Sequence, residues 1–129
     1  MTKVIIFGSF DPLHEGHKDL FRQAKKLGDY LVVVAASDEN IRREKMREPR
    51  VDEVARISEI EKISEVDEVI LGDKDDNYTI LDRVKPDKVA IGYDQRIPEG
   101  LKNKVKEYKI VTLKPYKPEI FKSSKIFRK

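Results

Sequence analysis

The chain has two histidines, and only two residues separate them: His14-Glu15-Gly16-His17. They follow an apolar run over 4–7 and a turn through Gly8-Ser9-Phe10-Asp11-Pro12, and a helical pattern begins at once after them. Imidazoles three positions apart at a helix start can face one ligand together. The first helical turn also carries N–H groups without a partner inside the helix, and the helix dipole makes that end positive. Gly16 removes a side chain between the two rings, so an anion can approach the backbone there. The chemistry that fits is phosphate binding. A bare His-x-Gly-His is more often a loop residue plus a packing residue; the buried strand and glycine turn before it make a phosphate site physically sensible. The rival reading is a metal. Zinc usually wants a third ligand, and Asp11 or Glu15 could serve.

Such a site needs a scaffold. The continuous apolar run over 4–7 reads as a strand buried on both faces. Leu20, Phe21, Ala24 and Leu27 recur at helical spacing, with Gly28 as the C-cap. A second buried strand follows over 31–36, and Ser37 or Asp38 can cap a short helix after it. The charged stretch over 44–50 contains Pro49 and reads as a loop. Val54, Ile57, Ile60 and Ile63 mark a second long helix. Strands over 69–71, 88–91 and 110–113 alternate with helices over 78–84 and 101–105. This alternation predicts an α/β fold, a doubly wound parallel five-stranded sheet, Rossmann-like, with ligands beyond the carboxyl ends of the strands. The segments leaving those ends begin at Gly8, Ala36, Gly72 and Gly92 and after Leu113.

Composition bounds the function. The 129 residues suffice for one domain, 1–129, with a real core. There is no cysteine, hence no disulfide, thiolate nucleophile or cysteine zinc site. No signal peptide and no apolar run of membrane-spanning length is visible, so a cytoplasmic protein without a membrane partner is expected. Charged residues make up 40%, yet the net charge is only +3, with both signs interleaved. That pattern, with few amides, suits ion-pair networks at high temperature and argues against nucleic acid as the partner.

From Gly8 to His17 the chain resembles the HxGH nucleotidyltransferase superfamily, in its cytidylyltransferase-like branch. Ser37-Asp38-Glu39, Lys45, Arg56, the stretch Val66-Asp67-Glu68-Val69-Ile70, Gly92-Tyr93-Asp94-Gln95 and Ser123-Ser124-Lys125-Ile126 are also similar to family positions. The groups matching best are the archaeal FAD synthases and the glycerol-3-phosphate cytidylyltransferases.

The resemblance implies transfer of AMP or CMP from ATP or CTP to a small phosphorylated acceptor, with loss of pyrophosphate, and it implies Mg²⁺ and a homodimer. In it His14, His17 and Lys45 are catalytic, with Arg43 or Arg47 as substitutes for Lys45. Gly8, Ser9, Phe10, Gly16, Gly92, Tyr93, Asp94, Ser123 and Ser124 bind the nucleotide. Asp11, Asp38 and Arg56 attend the acceptor. Outside the resemblance, Arg56 is equally an ion-pair partner, Asp38 a cap, and Asp11 an organiser of its loop.

The cytidylyltransferase pattern has an Arg-Thr pair before its serine- and threonine-rich helix start; here Lys117 and Pro118 stand in its place, and Lys122 precedes the serines. That departure turns the expectation toward FMN with ATP, ahead of glycerol 3-phosphate with CTP or a sugar phosphate as acceptor, although the C-terminal cysteines of the FAD synthase group are absent. A nucleotide-binding module without turnover is the competing class.

Overall fold

The computed structural model describes residues 1–72, 79–92 and 108–114. The helix expected over 101–105 and the segment after Pro115 lie outside them. Along the chain come β1 (Lys3–Gly8), α1 (Glu15–Lys25), β2 (Tyr30–Ala35), α2 (Asp38–Lys45) and α3 (Glu53–Glu61). These are followed by β3 (Glu68–Leu71), α4 (Thr79–Val84), β4 (Lys88–Ile91) and β5 (Lys109–Thr112).

All strand pairings are parallel, in the order β3-β2-β1-β4-β5. The chain therefore winds outward from β1 to β3, then returns to the centre and lays β4 on the other side of β1. That reversal makes the carboxyl ends of β1 and β4 the topological switch point, where open α/β sheets leave a crevice. Ile6 pairs with Ala90, which puts Gly8 and Gly92 level at its floor.

Alternation along the strands explains why their sequences read as unbroken apolar runs. Val4, Ile6, Leu31, Val33 and Ala35 face Phe21 and Ala24 of α1 and Ile60 of α3. Ile5, Val32, Val34, Val89 and Ile91 face Ile80 and Leu81 of α4. With helices on both faces, the inner strand positions are apolar, and polar side chains such as Lys3, Glu68 and Lys88 stand at the strand starts. Each large side chain so buried contributes about 1.5–3 kcal/mol relative to exposure.

Two local expectations are corrected. Gly28 does not cap α1: the cap is Lys26, in ordinary right-handed conformation, and the described residues include no glycine with positive φ. Gly28 is needed for close approach instead, since a Cβ there would lie 2.5 Å from the Thr2 carbonyl oxygen. Lys45 is not on a loop but is the last residue of α2, which Met46 ends in left-handed conformation (φ 56°, ψ 36°).

Candidate active site

β1 runs out at Gly8, and the next residues turn sharply. Phe10 has φ 51°, unusual for a bulky side chain. Its ring is what holds it: 4% exposed, it packs edge-on to His17 and to Phe21, with ring centroids 5.1 Å away in each case.

α1 then starts with His14 as its N-cap, and the two histidines cap it reciprocally. His14 Nδ1 accepts from the Gly16 N–H at 3.0 Å, and His17 Nδ1 accepts from the His14 N–H at 3.2 Å. The rings stack, 3.7 Å between centroids and 20° between planes. Gly16 makes this possible, because a Cβ at that position would lie 2.8 Å from His14 Cε1. The main-chain N–H groups at this helix start are therefore not a free row: His14 takes that of Gly16 with its ring and that of His17 with its carbonyl. With both Nδ1 atoms accepting, each neutral ring carries its proton on Nε2. The side of each ring that can donate to an anion is thus Nε2–H. Burial, then the neighbouring His14 and Lys45, push the His17 pKa down to about 3. His17 is neutral at physiological pH and donates without carrying charge.

Positive charge comes from Lys45. Its Nζ donates to Ser9 Oγ at 3.0 Å, which brings the end of α2 onto the turn after β1. Loss of hydration at the ammonium, then repulsion from Arg47, lower its pKa below the ordinary lysine value. The two substitutes considered for Lys45 are engaged elsewhere: Arg47 with Asp11 and Arg43 with Asn40.

The three residues expected to attend the acceptor form a different structure. Asp11 accepts from the Arg50 N–H at 2.8 Å, the Val51 N–H at 2.7 Å and Arg47 Nη1 at 3.0 Å. Burial alone would raise its pKa, but the Arg50 N–H, the Arg47 side chain and the Val51 N–H together hold it below the usual carboxylate value. Both its oxygens are spent on the protein, so it organises the loop.

Arg56, 2% exposed, is no open phosphate anchor. It donates from Nε to the Val51 carbonyl at 2.8 Å, and from Nη1 to those of Ser9 at 2.8 Å and Ala36 at 2.7 Å. From Nη2 it donates to Asp38 Oδ1 at 2.7 Å. Asp38 does not cap α2; Ser37 does, its hydroxyl accepting from the Asn40 N–H at 3.1 Å.

Among the described residues the zinc alternative finds no third ligand. Asp11 is engaged as above, Glu15 is exposed and paired with Lys18 at 3.2 Å, and no cluster of three metal-ligating side chains exists among the described residues. No helix among them is long and apolar enough to cross a membrane. Gly8, Ser9, Phe10 and Gly16 all stand at the switch point with the histidines, and Gly92 closes it from β4. Tyr93, Asp94, Ser123 and Ser124, with Lys117, Pro118 and Lys122, lie outside the described residues. The Ser9 hydroxyl as the seat of Lys45 and the Val51 N–H as a partner of Asp11 have no sequence signature, because they depend on contacts across 36 and 40 positions.

Stacked imidazoles and a lysine at a parallel-sheet switch point define a phosphate-handling α/β domain. The chain belongs to the cytidylyltransferase-like family, whose model matches residues 5–129. It is 37% identical over 134 aligned residues to the FAD synthase of Thermoplasma acidophilum, covering 100% of this chain and 94% of that one. It is 40% identical to the FAD synthase of Aciduliprofundum boonei, covering 90% and 80%. Against the FAD synthase of Ferroglobus placidus it is 39% identical, but the match spans 77% of this chain and only 64% of that one.

Among solved structures, the lipopolysaccharide core biosynthesis protein from Thermoplasma volcanium superimposes with a TM-score of 0.81 at 39% identity, covering 90% of this chain and 98% of that one. The bifunctional NMN adenylyltransferase/ADP ribose pyrophosphatase from Francisella tularensis, complexed with AMP and a manganese ion, shares the fold, with a TM-score of 0.63 at 17% identity. That match covers 98% of this chain and 40% of that one.

Proposed function

We propose that this chain is a single-domain nucleotidyltransferase that moves AMP from ATP to FMN, forming FAD and pyrophosphate. The observation that carries the reading is the pair of His14 and His17 Nε2–H donors beside Lys45 at the β1–β4 switch. The FAD synthase relatives supply the choice of substrates.

In this reading a phosphate oxygen of FMN attacks the α-phosphorus of ATP. A P–O bond forms, the bond to the bridging oxygen breaks, and pyrophosphate leaves with that electron pair. The nucleophile is already an anion, so no general base is required. The work is alignment and charge stabilisation. The two Nε2–H groups donate to oxygens whose charge grows as the bond to pyrophosphate breaks, and they need no reorganisation because each ring is locked at Nδ1. Lys45 leaves Ser9 for the α-phosphate and adds a full charge. Gly8, Gly16 and Gly92 leave room for the nucleotide, the main chain near Ser9 and Phe10 helps hold it, and Tyr93, Asp94, Ser123 and Ser124 are the other residues assigned to it.

Mg²⁺ enters with the triphosphate. The described residues offer no carboxylate cluster for it, and magnesium in such sites is held largely by substrate phosphates and water. The protein acts in the cytoplasm, as a homodimer, on small molecules; its interleaved charge and net +3 support this over a nucleic-acid partner.

The test is pyrophosphate release with Mg²⁺, pairing ATP and CTP in turn with FMN and glycerol 3-phosphate. Release with ATP and FMN is expected. Release only with CTP and glycerol 3-phosphate overturns the substrate choice, and ATP binding without release in any pairing overturns the transferase.

A further inference from the structure

We propose that Arg56 is a positioning residue that acts through Lys45: it sets where the lysine stands over the turn after β1, and it does not bind the acceptor. The inference rests on the reading of His14, His17 and Lys45 as the phosphate-handling groups.

A guanidinium presents five N–H donors in a rigid fork. Four of those of Arg56 are committed, to the carbonyls of Ser9, Ala36 and Val51 and to Asp38. The three carbonyls belong to different segments: the exit of β1, the exit of β2, and the connection between α2 and α3. One buried side chain thus fixes the distance between the histidine-bearing turn and the segment that follows Lys45.

Two further contacts make this grip specific. Ser9 is held from both sides, its carbonyl by Arg56 at 2.8 Å and its hydroxyl by Lys45 at 3.0 Å. Val51 is held at both ends of its residue, its N–H by Asp11 at 2.7 Å and its carbonyl by Arg56 at 2.8 Å. The chain on either side of Lys45 therefore cannot drift from the turn without breaking charge-assisted bonds in the interior. At 2% exposure the guanidinium has no face left for a substrate phosphate. Lysine keeps the charge but cannot reproduce the fork, so Arg56→Lys loosens the geometry while retaining the cation.

The experiment is a double-mutant cycle of Arg56→Lys with Lys45→Ala. It is read as kcat and KM for pyrophosphate release with ATP and FMN, and separately as ATP affinity without acceptor. Arg56→Lys alone is expected to lower kcat/KM by roughly 10- to 100-fold, the scale of an ångström-sized misplacement. In the Lys45→Ala background the same change is expected to cost less than about threefold, because the group it positions is gone.

Equal losses in both backgrounds overturn the proposal. So does a rise in the KM for FMN with kcat unchanged, the mark of an acceptor anchor. Should Arg56→Lys lack a cooperative unfolding transition, Asp38→Asn, which removes the charged partner of Nη2, replaces it in the cycle under the same criteria. If the wild-type protein releases no pyrophosphate with FMN, the substrate reading has failed, and the ATP-affinity cycle alone decides the role of Arg56.

Discussion

The imidazole of His14 lies over that of His17, 3.7 Å between centroids, and each ring spends its Nδ1 on a main-chain N–H of the same helix start. The pair is therefore preset in orientation and tautomer before any ligand arrives, with Nε2 as the protonated nitrogen of each ring. Removing one ring should cost turnover more than binding. For His14→Ala, kcat is expected to fall by roughly 10²–10³-fold, the usual loss for one preorganised donor to developing negative charge. ATP affinity, followed by calorimetry, should change much less. A variant that loses only affinity would point to a binding module.

The depressed His17 pKa has a consequence for stability. Between its ordinary value of 6.5 and its folded value of about 3, the unfolded chain binds a proton that the native site refuses. Stability is therefore complete above pH 6.5, falls as pH drops through this window, and levels off below pH 3. The contribution is at most about 1.4 kcal/mol per pH unit. Urea unfolding at several pH values should show a shallower acid slope for His17→Gln than for the wild-type protein. Superimposable slopes would refute the assignment.

Lys45 makes the opposite limb. With its pKa lowered by lost hydration and by Arg47, the free protein should lose this cation at lower pH than an ordinary lysine. The alkaline fall of kcat/KM should begin correspondingly early. Lys45→Arg removes that limb, because guanidinium stays charged, and lowers kcat through altered reach. Lys45→Ala is expected to cost roughly 10²–10³-fold in kcat/KM across the whole range. An alkaline limb unchanged in Lys45→Arg assigns it to another group.

Two glycines separate activity from stability. In Gly16→Ala the new Cβ meets His14 Cε1 at 2.8 Å, and the ring must swing off its partner. Alanine is the better helix former by about 1 kcal/mol, so the melting temperature should hold while kcat drops at least about tenfold. In Gly28→Ala the new Cβ meets the Thr2 carbonyl at 2.5 Å, a main-chain atom that cannot step aside. That change should destabilise by about 1–3 kcal/mol, with kcat of the folded fraction unaltered. Thermal unfolding beside initial rates distinguishes the pair.

The elements and the site were legible to different degrees. The strand over 88–91 appears where the apolar run ends at Gly92, and α1 follows the spacing of Leu20, Phe21 and Ala24. Burial on both faces of a parallel sheet forces such runs, so the pattern is local and readable. The end of α2 was not readable. A basic stretch with Pro49 looks like loop throughout, yet the helix continues to Lys45 because Met46 can supply its left-handed cap. The described residues bring His14, His17, Lys45, Ser9, Phe10 and Gly16 to one place.

By itself, the sequence determined the α/β class, the turn after β1 and the histidine pair, since each depends on residues within a few positions of one another. Tertiary structure alone decided what the charged residues do. Asp11, Asp38 and Arg56 carry the same signs and spacing whether they hold a substrate or hold the protein. Folding commits them to the protein, because a buried guanidinium and a buried carboxylate must satisfy their hydrogen bonds, and here backbone groups from three segments reach them first.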